Sequence, residues 1–227
     1  MLGQALLYDL HASPSCATAR ACLQLAGVSY RRVPLGKQDG RQRGDPAPVL
    51  VTAAGTVAGV SAIVALLEGR RTRPALRPDE ARARVYCALL EHWAQDSLGP
   101  AIGALVWGDA RAGARLADGI TRDLAPRGPS LWMRRRVLRA ARERYRVREV
   151  PAPATRVQAR LELLAALLAD QTYLLGARLT LADVSAYVHV VRLRLLGDEM
   201  PIGWSPVAAR WVARLDANPA VATAVSP

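Results

Sequence analysis

The sequence predicts an α/β domain over residues 1–72, followed by an all-helical domain over residues 79–227. This prediction depends on three observations. The chain opens with a strand–helix–strand pattern, residues 70–78 are rich in arginine and proline, and apolar residues recur at helical spacing almost throughout the rest. Because 51% of the 227 residues are hydrophobic, the chain can bury a sizeable core.

The first domain is predicted to pair its first two strands in parallel. These strands flank one helix, and a crossover of this length is typical of a parallel β–α–β unit. The helix is expected to end before Gly27, which suits the left-handed position after a helix. The elements in chain order are a strand at 4–10, a helix at 14–26, a strand at 29–35, a polar loop at 36–45, hairpin strands at 48–52 and 56–60, and a helix at 61–69.

The second domain is predicted to consist of helices alone. Its first helix is the longest, and the adjacent Gly99 and Pro100 favour a kink within it. No fixed repeat period is present, so a solenoid is excluded. The predicted helices are 79–107, 134–148, 155–169, 181–196 and 206–215.

The clearest local signal is the start of the predicted helix at 181. Thr180 and Asp183 have the spacing of a capping box, in which each side chain accepts a hydrogen bond from the other residue's amide. Leu179 and Val184 occupy the positions of a hydrophobic staple. Such a box builds a helix and performs no chemistry, so catalytic residues must be sought elsewhere.

Four segments together resemble the cytosolic glutathione transferase superfamily, and the resemblance covers nearly the whole chain. It implies a thioredoxin-like N-terminal domain, an all-α helical-bundle C-terminal domain, glutathione as co-substrate, and a homodimer in the cytoplasm. The segments are residues 13–16 (SPSC), 47–51 (APVLV), 179–188 (LTLADVSAYV) and 204–221 (WSPVAARWVARLDANPAV).

The junction of the first strand and the first helix holds the candidate catalytic residues. A helix N-terminus stabilises a bound thiolate and lowers the pKa of a cysteine in its first turn. The resemblance allows two registers, which place the catalytic residue at Ser13 or at Cys16, with Ser15 as a third candidate. A hydroxyl would hydrogen-bond the glutathione thiolate for transfer to an electrophile, whereas a cysteine would support disulfide exchange.

Two further positions are implied by the resemblance to bind glutathione. The first is Ala47-Pro48, where a cis peptide bond would turn the backbone of Ala47 toward the cysteinyl part of glutathione. The second follows the hairpin, where the family carries an acidic or amide residue followed by serine, and these residues hold the γ-glutamyl end. The alignment places Gly59 and Val60 there, and a shift of one residue would place Val60 and Ser61 there. Val60 departs from that pattern because its side chain can neither donate nor accept a hydrogen bond.

The pocket for the second substrate is expected between the two domains, along the first long helix. Its candidate lining residues are Trp93, Leu98, Ile102 and Trp107. Cys16, Cys22 and Cys87 form neither a disulfide framework nor a metal-ligand pattern, so no metal is expected. Reduced thiols and an N-terminus without a secretory signal pattern predict a cytoplasmic protein.

Two alternative functions remain open, and the net charge of +12 favours the first of them. Much of the excess lies at Arg134–Arg148, where apolar residues recur at helical spacing and predict one arginine-faced helix. This helix is consistent with a basic adaptor for nucleic acid or an anionic membrane. The other alternative is a non-catalytic binding or interaction module that kept the fold and lost glutathione recognition.

Overall fold

The computed structural model describes residues 5–37, 47–70, 75–125, 130–199 and 202–225. It confirms the predicted order of an α/β part followed by helices. Of the predicted loop at 36–45, Gly36 and Lys37 lie within the described residues, and the rest lies outside them. The elements of the α/β part are β1 (Ala5–Asp9), α1 (Pro14–Leu25), β2 (Tyr30–Pro34), β3 (Val49–Thr52), β4 (Gly55–Ala58) and α2 (Val60–Gly69).

The four strands form one sheet in the order β2-β1-β3-β4. As predicted, β1 and β2 are parallel and β3 and β4 form an antiparallel hairpin. β1 also pairs with β3 in the antiparallel sense, with Tyr8 opposite Val49. The end of β1 therefore lies beside the start of β3, and this edge of the sheet carries the residues discussed below.

The rest of the chain is helical. The helices α5 and α10 were not predicted from the sequence. Of the helices described, none is both long and apolar enough to cross a membrane. The elements are α3 (Ala81–Trp93), α4 (Gly99–Gly108), α5 (Ala110–Leu124), α6 (Leu131–Arg144), α7 (Pro153–Leu167), α8 (Leu181–Val190), a 3₁₀ segment (Val191–Glu199), α9 (Pro206–Asp216) and α10 (Pro219–Val225).

The long helix predicted at 79–107 is made of α3 and α4, joined by a π-helical turn over Ala94–Leu98. The irregular turn directly precedes Pro100, whose nitrogen has no hydrogen to donate to the preceding turn. Gly99 is needed for packing, because an ideal Cβ there would lie 2.6 Å from Cε1 of His189. The break in the helix is therefore also the place where α8 packs closely against α4.

The predicted capping box at the start of α8 is confirmed. Besides its bonds with Thr180, the buried Asp183 carboxylate accepts from the amide of Leu174 at 2.8 Å and from Nε1 of Trp211 at 3.0 Å. Leu179 packs against the small cluster that contains Val184, as the hydrophobic staple requires. One carboxylate thus ties α8 to α9 and to the turn that precedes the box.

The predicted linker at 70–78 does more than connect, judged from its described residues 75–78. Leu76 is buried in the core, and its carbonyl accepts a hydrogen bond from the amide of Leu181 at 2.7 Å. Arg77 forms ion pairs with Glu91 at 2.8 Å and Glu68 at 3.3 Å. This end of the linker therefore fastens α2, α3 and α8 together.

Candidate functional site

The predicted catalytic and glutathione-binding positions meet at one edge of the sheet. Ser13 follows β1, and Ala47 and Pro48 precede β3, which runs beside β1. The amide of Gly59 donates a 2.7 Å hydrogen bond to the carbonyl of Pro48, so the start of α2 lies at the same edge. The fold brings together segments that are more than 30 residues apart in the chain.

Ser13 caps α1 and lines a cleft between the sheet edge and the helices. Its hydroxyl accepts from the amide of Cys16 at 3.4 Å, which is a long hydrogen bond. Pro14 occupies the first turn, where its missing amide hydrogen leaves nothing unsatisfied. Ser15 is exposed and does not line the cleft. Of the two serines, Ser13 is the one that a ligand in the cleft can reach.

Cys16 has no exposed surface and points into the protein rather than into the cleft. Burial raises the pKa of its thiol, although hydrogen bonds from Leu10 and Ser13 act in the opposite direction. The expectation that the helix terminus lowers this pKa is therefore wrong, because desolvation outweighs it. The pKa values of Cys22 and Cys87 are likewise raised, mainly by burial, to about 12.

The peptide bond between Ala47 and Pro48 is cis, as predicted. α2 begins at Val60, and its cap, Gly59, has a φ of 84° and provides no side-chain hydrogen bond. Val60 packs against the core and Ser61 is exposed. None of these residues lines the cleft beside Ser13, but the first amides of α2 remain without a capping side chain.

The cleft has a volume of about 890 Å³, which is the size of a site for a small organic molecule. It lies between the start of α1, one face of α5, the end of α8 with the 3₁₀ segment, and α10. α5 was missed in the sequence, although Asp109 is a good cap and apolar residues recur behind it. The apolar lining residues include Ala12, Ala17, Leu116, Val188, Val191, Leu195 and Val225.

The predicted lining of this pocket is wrong. Leu98, Ile102 and Trp107 belong to the hydrophobic core and are at most 2% exposed, and Trp93 packs against that core. None of the four lines the cleft. Leu98 and Ile102 are four residues apart, so they share the helix face that packs against the protein interior. The helix that faces the cleft is α5 instead.

The cleft contains more positive than negative side chains. Asp118 is held by Arg134 on α6 at 2.6 Å, and Asp216 by Arg194 at 2.5 Å. Asp216 also accepts from the Tyr187 hydroxyl at 2.5 Å. Burial opposes ionisation of Asp216, but these hydrogen bonds outweigh it and lower its pKa. The cleft arginines are Arg20, Arg115, Arg122, Arg192 and Arg194.

An ion network fixes the loop between β1 and α1 against α5. Arg32 pairs with Asp9 at 2.5 Å and with Asp123 on α5 at 2.8 Å. Arg20 also pairs with Asp9, which has no exposed surface. The Asp123 carboxylate accepts from the amide of His11 at 2.5 Å. Sequence reasoning missed these residues, although a charge at the end of a buried strand, Asp9, indicates a partner.

The predicted arginine-faced helix is confirmed as α6, which starts and ends a few residues earlier than the predicted 134–148. Val137, Leu138 and Ala141 pack against the core, while most of its arginines face solvent. A groove of about 520 Å³ runs along it. Trp132 is 63% exposed at its start, with the Arg136 guanidinium 5.5 Å from the ring centre. Among the described residues, no group of histidines, cysteines and carboxylates could hold a metal ion.

Comparisons with known proteins agree with this architecture. Residues 150–216 match the family model described as the glutathione S-transferase C-terminal domain. A search of curated protein sequences finds no significant match. Among solved structures, a theta class glutathione S-transferase from Xanthomonas axonopodis pv. citri, with glutathione bound, is similar at 24% identity with a TM-score of 0.64, over 97% of this chain and 96% of the other.

Two further structures are similar at lower identity. The β-etherase LigF from Sphingobium sp. is 18% identical with a TM-score of 0.71, over 97% of this chain and 98% of the other. A glutathione S-transferase domain-containing protein from Marinobacter aquaeolei is 22% identical with a TM-score of 0.65, over 95% and 99%. At these identities the likeness concerns the fold. The chain therefore has the glutathione S-transferase fold, and its residues 150–216 are similar to the C-terminal domain of that family.

Proposed function

We propose that this protein binds glutathione as its thiolate at the start of α1 and transfers it to an electrophile bound in the cleft. The observation that carries the proposal is the position of Ser13. Its hydroxyl caps α1 and lines a cleft large enough for an organic co-substrate. The names of the similar structures, a theta class transferase with glutathione bound and a β-etherase, support the same chemistry.

The start of α1 would stabilise the thiolate in two ways. The helix terminus contributes positive potential, and the Ser13 hydroxyl, which hydrogen-bonds the buried Cys16 thiol, would turn its proton to the glutathione sulfur once the thiolate is bound. The glutathione thiol releases its proton to solvent. Its sulfur then forms a bond to the electrophilic carbon, and the leaving group departs with the bonding electron pair.

Residues at the sheet edge would bind part of the rest of glutathione. The peptide groups of Ala47 would pair with its cysteinyl backbone, and the uncapped amides at the start of α2, Val60 and Ser61, would bind the γ-glutamyl carboxylate. Val60 offers nothing to the γ-glutamyl ammonium. Losing one hydrogen bond to a charged group costs about 1.5–3 kcal/mol, so we expect glutathione to bind about ten- to a hundredfold more weakly than a complete site would allow.

Thiol–disulfide exchange through Cys16 is the weaker branch of the prediction. The nucleophile in exchange is a thiolate that can reach the other sulfur. Cys16 is fully buried, and burial raises its pKa, so at neutral pH it is a protonated core residue. Disulfide reduction by this protein would require glutathione itself as the attacking thiol.

We also propose that the protein is a cytoplasmic homodimer. Val85, Tyr86 and Leu89 expose 45–60% of their surface on one side of α3. Proteins of the family that the sequence resembles commonly dimerise through the N-terminal domain and the first long helix, to which α3 corresponds. Three free cysteines suit a reducing compartment. Sedimentation of the purified protein beside its Leu89→Glu variant tests the dimer, since a charge within the interface should shift the equilibrium toward the monomer.

Calorimetric titration of glutathione into the protein, Ser13→Ala and Ser15→Ala tests the function. Ser15 is the matched control, because it is exposed on the same helical turn outside the cleft. Without the Ser13 hydroxyl, the pKa of the bound thiol should rise by about one to two units. Conjugation to chlorodinitrobenzene near neutral pH should then fall about ten- to a hundredfold.

Three outcomes separate the functions. Glutathione binding with a Ser13-dependent rate supports transfer. Glutathione binding without conjugation would contradict transfer, and no binding at all would favour the non-catalytic module. Equal losses in Ser13→Ala and Ser15→Ala would remove the hydroxyl from the mechanism.

A further inference from the structure

The face of α5 toward the cleft carries two arginines close to Ser13. Arg115, Gly119 and Arg122 follow a spacing of three and four residues, so they share one helix face. An ideal Cβ on Gly119 would lie 3.7 Å from Cβ of Ala12 and 4.0 Å from Nη2 of Arg122. Arg122 and Ala12, the residue that precedes Ser13, therefore both approach the same position on α5, and both line the cleft.

These two arginines are not neutralised by the described residues of the chain. Both are exposed, and neither forms an ion pair or side-chain hydrogen bond there. The cleft carboxylates are engaged elsewhere, Asp118 with Arg134 and Asp216 with Arg194. Along the helix axis, seven residues separate the pair by about 10 Å, so the cleft between them has a positive wall.

A third arginine lies opposite, on the 3₁₀ segment. Arg192 is 8% exposed and lines the cleft, yet no carboxylate pairs with it among the described residues. Its guanidinium hydrogen-bonds the Tyr145 side chain, and its Nε is buried without a partner among the described residues. Burial lowers its pKa. A buried guanidinium without a counter-ion is unfavourable, and a bound anion relieves that cost.

The space between these arginines is apolar. Leu116 on α5 faces the cleft together with Val188, Val191 and Leu195. The volume of about 890 Å³ exceeds what a small inorganic ion needs. The lining therefore favours a ligand that has an apolar body and a negatively charged group.

We propose that the electrophile taken by this cleft is an organic anion, whose carboxylate or sulfonate is held by Arg115 and Arg122 and faces Arg192 across the cleft. This inference rests on the proposed function, because it names the class of co-substrate for the same site. It also gives the arginines a role in selecting substrate, whereas Ser13 activates the thiol.

Two fluorescent probes that differ in one charge test the inference without glutathione. Anilinonaphthalene sulfonate is the anion, and phenylnaphthylamine has the same aromatic body without the sulfonate. We expect the anion to bind at least tenfold more tightly at low salt, with an advantage that shrinks as salt rises. Chloronitrobenzoate should displace it, and the uncharged chloronitrobenzamide should not.

The double variant Arg115→Gln with Arg122→Gln should lose at least tenfold in affinity for the anion and keep its affinity for the neutral probe. Arg111→Gln is the matched control, since Arg111 is exposed on the same helix and does not line the cleft. It should change both affinities less than twofold. Arg192→Met should likewise weaken binding of the anionic probe and leave binding of the neutral probe unchanged. If Arg192→Met does not fold, the double variant tests the inference by itself, because Arg115 and Arg122 are exposed.

Equal affinity for the two probes, or an equal loss in Arg111→Gln, would overturn the inference. The glutathione titration is a separate measurement. If glutathione binds and the probes are not distinguished, this inference fails and the proposed function stands. If the probes are distinguished and glutathione does not bind, the proposed function fails and the cleft remains a site for organic anions.

Discussion

Replacing Asp183 with asparagine should destabilise the protein by about 3 kcal/mol. The Asp183 carboxylate has no exposed surface and accepts four hydrogen bonds. Oδ1 accepts from the amide of Leu174 at 2.8 Å and from Nε1 of Trp211 at 3.0 Å. Oδ2 accepts from the amide of Thr180 at 3.0 Å and from its hydroxyl at 2.9 Å.

The magnitude follows from what an amide can do in the same place. Asparagine keeps one acceptor oxygen and turns an NH₂ group toward the other pair of donors. Each hydrogen bond to a charged group contributes about 1.5–3 kcal/mol, and two are lost. Burial raises the pKa of Asp183, so removing the charge regains part of the loss. The sum of these effects is about 3 kcal/mol, or roughly 6–12 °C in Tm for a protein of this size.

Urea unfolding followed by circular dichroism measures the effect. The matched control is Asp170→Asn, because Asp170 is exposed near the end of α7 and receives the same chemical change. Its midpoint should stay within about 0.2 M of the parent, whereas Asp183→Asn should lower the midpoint by about 1 M or more. A loss below about 1 kcal/mol for Asp183→Asn would refute the reasoning that this carboxylate holds α8, α9 and the preceding turn together.

Three further predictions concern buried groups. Burial, aided by the positive charge of Arg192, lowers the pKa of His189 to about 3. The free energy of unfolding should therefore fall by up to about 1.4 kcal/mol for each pH unit below the unfolded value of 6.5, until the folded pKa is reached. The urea midpoints at pH 7 and pH 5 should differ more in the parent than in His189→Gln. Gly99→Ala should destabilise the protein by about 1–3 kcal/mol through the clash with His189, and His189→Ala should rescue part of that loss in a double-mutant cycle; additive losses would contradict the packing. The thiols of Cys16, Cys22 and Cys87 should react with a disulfide reagent only after unfolding, and rapid labelling of one native thiol would contradict their burial.

Local signals predicted the fold well where neighbouring residues decide the structure. The Thr180–Asp183 box defines the start of α8 by itself, and its partners merely add to it. Gly27, with a φ of 66°, follows the end of α1 as its left-handed position requires. The β1–α1–β2 pairing follows from chain connectivity. These features need no knowledge of distant residues, and all of them are present in the structure.

The helix α5 shows where the same reasoning was incomplete. Its sequence combines arginines with Gly113 and Gly119, and both glycines weaken helix propensity. Asp109, whose carboxylate accepts from the amide of Ala112 at 2.7 Å, was the available signal, together with Leu116 at helical spacing behind it. Gly113 has a packing reason, since an ideal Cβ there would lie 3.2 Å from the carbonyl oxygen of Trp107, whereas a Cβ on Gly119 would make ordinary contacts. Packing of this kind cannot be read from a single segment.

Cys16 illustrates a competition that spacing alone cannot decide. Its place in the first turn of α1 predicts a lowered pKa, because a helix terminus favours a thiolate. Whether the thiol faces the cleft or the core depends on how α1 packs against the sheet. The side chain lies in the core, where desolvation dominates. Ser13 is three residues earlier and faces the cleft, so the same turn offers one reachable and one unreachable group.

The charge of the chain shows the same limit on a larger scale. The run of arginines in α6 is contiguous and visible in the sequence, so it was the expected site for an anionic partner. Arg115 and Arg122 are about 70 residues from Arg192, and these three face one cleft only because α5 packs against the 3₁₀ segment. Other arginines, such as Arg20 and Arg32, form ion pairs with the buried Asp9. The tertiary structure therefore decides which arginines are paired with carboxylates and which remain free to bind a ligand. Counting arginines along the chain does not distinguish the two groups.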